Sequence, residues 1–532
     1  MKKRYLFHRA GTTVALMIGA TLVSKVLGML RQVMTAGIFG ASMEGIAFSA
    51  ASGIPLAIFD MLFSAAVLGS FLPIYKGYLC ADGKRARAFS SSFFTVVFLL
   101  TALVSALGIL FARQILRLAA PDLCGETLSL AVMLLRVMFP SMIFAGVTYI
   151  LVGILQSHER FLLPSFVSAI SNLFMLSYLA LSQTPLVSAS AVGLAVMYLL
   201  SWVLQFLTLA IPLLRKREFP VPSVQWRTPD TVLAVKRALP VMLGSWLVPM
   251  TTLLAKAFSS FAEIETEEAG AAIVVYENAF AVFSIATGLL TYGICNYTFP
   301  KLSVRFAQGN AEAFSQLIRK GFFSLTVLIL PASGALFLLS GEVTELLYLR
   351  GNFTETLASA TGESLRILAL AMPAYGALEF FSRVCYACAR VRYPMWASLA
   401  GIGVSFSTSA LFLSAGNSSP RAVAFSVLLG QTAAGGLLLI FSLRFLEAGN
   451  KREWLKYFFM LVGAVVSMLA MHCCRAYLRQ ALHFFKTFQN FFTIVIVFTV
   501  GFMVYSIWLV LTGTVRITDF RTVDDGECTR NF

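Results

Sequence analysis

Nine ionisable residues lie inside stretches that are otherwise apolar: Lys25, Arg31, Asp60, Arg136, Lys256, Glu277, Arg366, Glu379 and Arg383. In hydrocarbon each costs at least ~2.5–3.5 kcal/mol, so each requires a partner, an aqueous cavity or a route to the interface. Asp60 is placed to neutralise Lys25 or Arg31, and Glu277 to neutralise Lys256. Arg136, Arg366 and Arg383 fall near the ends of their runs, where a long side chain snorkels to the interface. Lys25 and Arg31 resist that accounting. Six residues apart on a helix, they diverge by about 120° and both border one wide cavity. Asp60 pairs with at most one of them, so the other calls for an anionic ligand held in water. An arginine fork fits phosphate in particular. These charges therefore point to a central cavity for an amphiphilic, phosphate-bearing molecule, with Lys25 and Arg31 facing the phosphate. Asp60, Lys256 and Glu277 are further cavity or inter-lobe charges.

Other chemistries find no constellation. His8, His158, His472 and His483 are scattered, without metal-ligand spacing, and the chain has no Walker loop or nucleophile elbow. Cys385 and Cys388 have the spacing of a redox or zinc pair, but they lie in an apolar helical run with no second pair, which fits core packing. No enzyme activity, metal or cofactor is expected. Energy for transport must come from an ion gradient, the membrane potential or the substrate gradient.

The elements that carry these charges are membrane spans. The 532 residues are 58% hydrophobic and 12% charged, with a mean hydropathy of +0.82, whereas soluble domains are roughly 45–50% apolar and about 25% charged. About fourteen runs reach the ~20 apolar residues that a spanning helix needs, from 12–37 and 45–75 through 238–261 and 269–299 to 488–513. The basic start at Lys2, Lys3 and Arg4 leads into a run that passes straight through Lys25 and Arg31, which reads as a retained first helix. Roughly 28 of the 41 basic residues fall in alternate loops, which places both termini in the cytoplasm. The net charge of +16 is spread over short loops, so it reads as a face turned to anionic membrane lipid, with no nucleic-acid partner. The fold class is an all-α polytopic membrane protein.

The spans also repeat. Phe71-Leu-Pro73-Ile-Tyr75 and Thr298-Phe-Pro300-Lys-Leu302 each precede a basic loop. Arg136, Pro140 and the exit Arg160-Phe-Leu-Leu-Pro164 are echoed by Arg366, Pro373 and Arg390-Val-Arg-Tyr-Pro394. Both pairings share an offset of six spans. They divide the chain into an N-terminal lobe (1–213), a linker (214–237), a C-terminal lobe (238–446) and two appended helices with a tail (447–532), an arrangement of two lobes around a cavity. Glycines and prolines such as Gly53, Pro55, Gly244 and Pro249 serve either helix bending or close packing.

The residues themselves resemble a family. Ser24-Lys-Val-Leu-Gly-Met-Leu-Arg31, Ile38-Phe-Gly-Ala41, Leu135-Arg-Val-Met-Phe-Pro140, Gly153-Ile-Leu-Gln-Ser-His-Glu-Arg-Phe161 and Leu347-Tyr-Leu-Arg-Gly-Asn-Phe-Thr354 resemble segments of the MurJ (MviN) lipid II flippases. The resemblance runs from about residue 11 to about 445 and agrees with the span count. It implies translocation of an undecaprenyl-diphosphate-linked peptidoglycan precursor to the outer leaflet of the bacterial inner membrane, with cell-wall assembly proteins as further partners. It also implies that Lys25 and Arg31 occupy two basic cavity positions. Two others depart: the second-helix arginine is replaced around Phe59 and Asp60, and the eighth-helix arginine falls at Ala279. An acidic residue linked to sodium in some relatives falls beside Ala255 and Lys256, where a lysine ammonium stands in for a bound cation. The readings left open are a divergent lipid II flippase, a flippase for another polyprenyl-linked glycan, a cation-coupled exporter of amphiphiles or drugs, and a scaffold without transport.

Overall fold

The computed structural model describes residues 2–64, 71–185, 187–223, 246–445, 451–481 and 488–515, with a few positions between 228 and 242. Seventeen α-helices form among them. The first two are α1 (Lys2–Phe39) and α2 (Met43–Phe59), and α2 continues into a π-turn at Asp60–Ser64. Then come α3 (Leu72–Ala81), α4 (Gly83–Leu110), α5 (Ala112–Ala119), α6 (Gly125–Met138), α7 (Ser141–Ser157), α8 (Leu162–Leu181) and α9 (Ala191–Arg215). The second half holds α10 (Leu247–Ser259), α11 (Ala271–Ala307), α12 (Ala311–Tyr348), α13 (Glu355–Ala387), α14 (Arg392–Ser414) and α15 (Pro420–Ser442). It ends with α16 (Lys451–Ala481) and α17 (Gln489–Leu511).

Thirteen stretches among the described residues are long and apolar enough to cross a membrane, with α6 and α7 forming one of them. The expected seventh span survives as the short α10, and the residues before it, Gly244 among them, lie outside the described set. The chain is thus an all-helical, multi-pass membrane protein. The fourth span is not continuous: it breaks between Met138 and Ser141, at Pro140, which has no N–H to donate. At 37 and 38 residues, α11 and α12 are roughly 55 Å long at 1.5 Å per residue, longer than the ~30 Å hydrocarbon core.

Packing follows two groups. Helix α8 lies on α1 and α9, α2 on α6, and α7 on α4 and α9; α13 lies on α11, α12 and α15, and α14 on α10 and α15. Helices α16 and α17 pair with each other and rest on α12. The groups touch through α1 and α2 against α10, α11 and α12.

The sequence repeat has a backbone counterpart. After α7, Glu159 takes a left-handed φ of 59°, and the Arg160 N–H closes on the Leu155 carbonyl at 2.9 Å. After α13, Ala389 takes φ 55° and the Arg390 N–H closes on Cys385 at 2.8 Å. This is the same six-to-one helix cap, six spans apart, and in both cases a side chain other than glycine bears the strain.

Candidate functional site

A cavity lies within the first group of helices, where it meets α11 of the second, in two chambers of about 560 Å³ and 400 Å³. They share Val152, Gln156, Pro164 and Ser168 as walls, so the two chambers adjoin. Arg31 lines the deeper chamber and Lys25 the other, about 9 Å further along α1 by helical rise. Both basic residues singled out in the sequence therefore face the cavity. Neither forms an ion pair, with Asp60 or any other carboxylate, among the described residues. The Arg31 guanidinium touches the Met175 sulfur at 3.4 Å, a weak acceptor, and feels the Glu277 carboxylate across the chamber without contacting it. The Lys25 ammonium rests against the backbone of Gly288 on α11, where an added Cβ would lie 3.0 Å from Nζ.

Asp60 and Glu277 line the deeper chamber with Arg31. Asp60 begins the π-turn, so the irregular backbone that directs it into the cavity is a break in the α2 ladder of the kind that clusters at functional sites. Glu277 pairs with Lys256 at 3.7 Å, as anticipated, while its Oε2 is buried without a hydrogen-bond partner. Lys256 faces away from the open space: its side chain is 3% exposed and its ammonium donates to the Ser49 carbonyl at 2.5 Å. Of the positions that depart from the family pattern, Ala279 and Phe59 are both fully buried in the apolar core.

Two of the three arginines expected to snorkel find local partners, and the third is exposed on its helix. Arg136 is exposed, Arg366 stacks over the Phe337 ring at 4.5 Å, and Arg383 lies 4.0 Å from Glu379. Cys385 in α13 and Cys388, the residue that ends it, are buried free thiols.

Opposite the Lys25 chamber the groups are sealed at the far end of α1. The Asn352 N–H donates to Gly37 O at 2.8 Å, and its side-chain amide donates to Ile38 O at 2.6 Å. The seal tolerates no side chain. Gly40 and Gly351 both adopt left-handed φ, and a Cβ on either would lie 2.2 or 2.1 Å from a carbonyl oxygen of the other segment. The Arg350–Thr354 segment that carries the family resemblance is therefore one half of this clasp. Nearby, Asp122 N–H donates to Ser260 Oγ at 3.3 Å, tying the same end together.

Sequence reasoning missed the wall of the deeper chamber formed by α9. Tyr198, Ser201, Trp202 and Gln205 all line it. Their spacing of three and four in an apolar run is a detectable stripe.

Two groups of spanning helices with a polar cavity where the first meets the second, sealed to each other at one end, define a multi-pass membrane transporter. Its solved relatives share that architecture. A lipid II flippase MurJ in an inward closed conformation superposes with a TM-score of 0.76 over 94% of this chain and 98% of that one, at 20% identity. An inward-facing multidrug resistance transporter of the MATE family and MOP superfamily gives 0.67 over 79% and 94%, at 14% identity. In sequence, residues 35–507 match the family described as lipid II flippase MurJ. The chain is 25% identical to the lipid II flippase MurJ of Burkholderia cenocepacia over 465 residues, 86% of this chain and 88% of that one. It is 25% identical to a probable lipid II flippase MurJ of Bdellovibrio bacteriovorus over 491 residues, 91% and 92% of the two. The chain belongs to the MurJ lipid II flippase family, and is a transporter rather than an enzyme.

Proposed function

We propose that this protein carries lipid II from the cytoplasmic to the outer leaflet by alternating access, and that Lys25 and Arg31 hold its diphosphate. The observation that carries the reading is the placement of these two cations on one helix, with no carboxylate in salt-bridge contact among the described residues, in adjoining chambers where the first helix group meets α11. A diphosphate supplies the missing negative charge, and the guanidinium offers it a two-pronged hydrogen bond. The proposed lobes are 1–213 and 238–446, joined by 214–237, with 447–532 appended. The N-terminus lies in the cytoplasm with the Lys25 end of the cavity, and the C-terminus on the same side. The clasp at Gly37–Gly40 then faces outward, and the state described is inward-facing. Mutual movement of the lobes opens the clasp and closes the Lys25 end, so the head group crosses in a polar space while the polyprenyl chain stays in lipid. Lys256 fills with its own ammonium a position that a free cation would otherwise neutralise, so transport proceeds without a cation bound there.

The test is complementation in bacteria depleted of their own lipid II flippase, with outer-leaflet lipid II measured directly. Rescue by the parent chain that fails with Arg31→Ala supports the reading. No rescue from inserted, expressed protein rejects it in favour of another polyprenyl-linked cargo or a scaffold.

A further inference from the structure

The cavity is chemically divided. Its charged residues come from α1, α2 and α11 (Arg31, Asp60, Glu277 and, in the adjoining chamber, Lys25). The adjoining side, from α7, α8 and α9, presents none: α7 and α8 contain no Asp, Glu, Lys or Arg, and α9 only the terminal Arg215. Yet this wall is polar. It offers Gln156 from α7, Ser168 and Asn172 from α8, and Tyr198, Trp202 and Gln205 from α9. Residues 168 and 172, 198 and 202, and 201 and 205 are each one turn apart, so each helix turns a polar stripe inward from an apolar body.

Several of these groups await a partner. Gln205 is 7% exposed, and among the described residues neither its amide nor that of Gln156 has a hydrogen bond to protein. Thr148 Oγ1, on the same wall, is buried and unpaired. Burying such groups against hydrocarbon costs free energy, so the lipid's chain is the wrong occupant. A charged occupant finds no counter-charge here. Amides that both donate and accept suit a molecule dense in hydroxyls, and the Trp202 and Tyr198 rings supply faces for its C–H surface. The deeper chamber's 560 Å³ lies within the range of small-molecule sites.

We propose that the α7–α9 wall is a binding surface for the uncharged saccharide of the cargo, working beside the cationic side that takes the diphosphate. This rests on the flippase reading and adds a recognition surface to it: the N-terminal group of helices reads the sugar.

The experiment compares three ligands binding to the purified full chain in nanodiscs: a short polyprenyl diphosphate, the same diphosphate bearing the disaccharide, and lipid II with its peptide. The disaccharide is expected to tighten binding about tenfold or more over the bare diphosphate, a change typical of a few well-made polar contacts. Gln156→Ala with Gln205→Ala should erase that preference, as should Trp202→Leu, while Trp202→Phe, which keeps an aromatic face, should retain it. Melting temperatures accompany each variant; if the double variant does not fold, the Trp202 pair decides. The proposal fails if the parent chain shows no preference, if the preference survives in the variants, or if it appears only with the peptide present. If no ligand binds the parent chain, the flippase reading itself falls, which is a separate and recognisable outcome.

Discussion

Lys256 on α10 lies 3.7 Å from the Glu277 carboxylate on α11 and donates to the carbonyl of Ser49 on α2 at 2.5 Å, so one buried ammonium joins both helix groups. Gly53, one turn after Ser49, makes room for it: a Cβ there would lie 2.9 Å from Nζ. An uncompensated buried charge is the costly species, not the loss of the pair. Lys256→Met or Glu277→Gln alone should each lower stability by about 3 kcal/mol, and the double variant by less than the sum. Thermal unfolding of the solubilised chain in a double-mutant cycle measures this. Additive losses would show that the pair carries no coupling.

For the cavity cations, replacement should separate charge from shape. Arg31→Ala and Lys25→Ala should each reduce outer-leaflet lipid II by about tenfold or more, since a charge-assisted phosphate contact is worth roughly 1.5–3 kcal/mol. Lys25→Arg keeps the charge and should remain active. Arg31→Lys keeps the charge but loses the fork, and should fall between. Equal activity of Arg31→Ala and the parent would remove Arg31 from the phosphate site.

At the clasp, Gly351→Ala places a methyl 2.1 Å from the Gly37 oxygen, in a backbone conformation that already disfavours side chains. The expected result is a shift toward a state open at this end, read as a longer distance between spin labels on α1 and α13. Gly83→Ala, where nothing lies within 4 Å, should leave the distance unchanged. A label distance unaltered by Gly351→Ala would mean that the clasp does not set the conformational balance.

How much of this was legible beforehand depends on where the signal resides. The spans, the basic face and the stranded cations of α1 follow from transfer free energies, which act residue by residue and so appear in the sequence. The Lys256–Glu277 pair was legible for the same reason: two misplaced charges in successive spans have few other partners. The π-turn at Asp60 was not, because it is a change of backbone register that no residue type specifies. Nor was the clasp. The Arg350–Thr354 segment stood out as a pattern, but its contact with Gly37 and Ile38 spans more than three hundred residues of chain. The neutral polar wall went unread because single serines and glutamines cost little in a helix and raise no alarm until three helices bring them together.

Glu342 is the other residue that the sequence left unremarked, and it sets the dock for the last two spans. Its side chain is 3% exposed on α12, and its Oε1 accepts from Arg475 at 2.6 Å and from Arg479 at 2.8 Å, both on α16. Nearby, Asn490 on α17 donates to Glu345 at 2.9 Å. Because Arg475 is 21% exposed and Arg479 56%, water compensates the second far better than the first. Arg475→Ala should therefore cost more than Arg479→Ala. Glu342→Gln should cost most, about 1.5–3 kcal/mol, since it takes the charged acceptor from the largely buried Arg475 as well as from Arg479. Limited proteolysis at residues 446–450, together with thermal unfolding, measures the undocking. Faster cleavage in Glu342→Gln with the rest of the bundle intact is the expected outcome, and equal sensitivity in all three variants would show that apolar packing alone holds α16 and α17 in place.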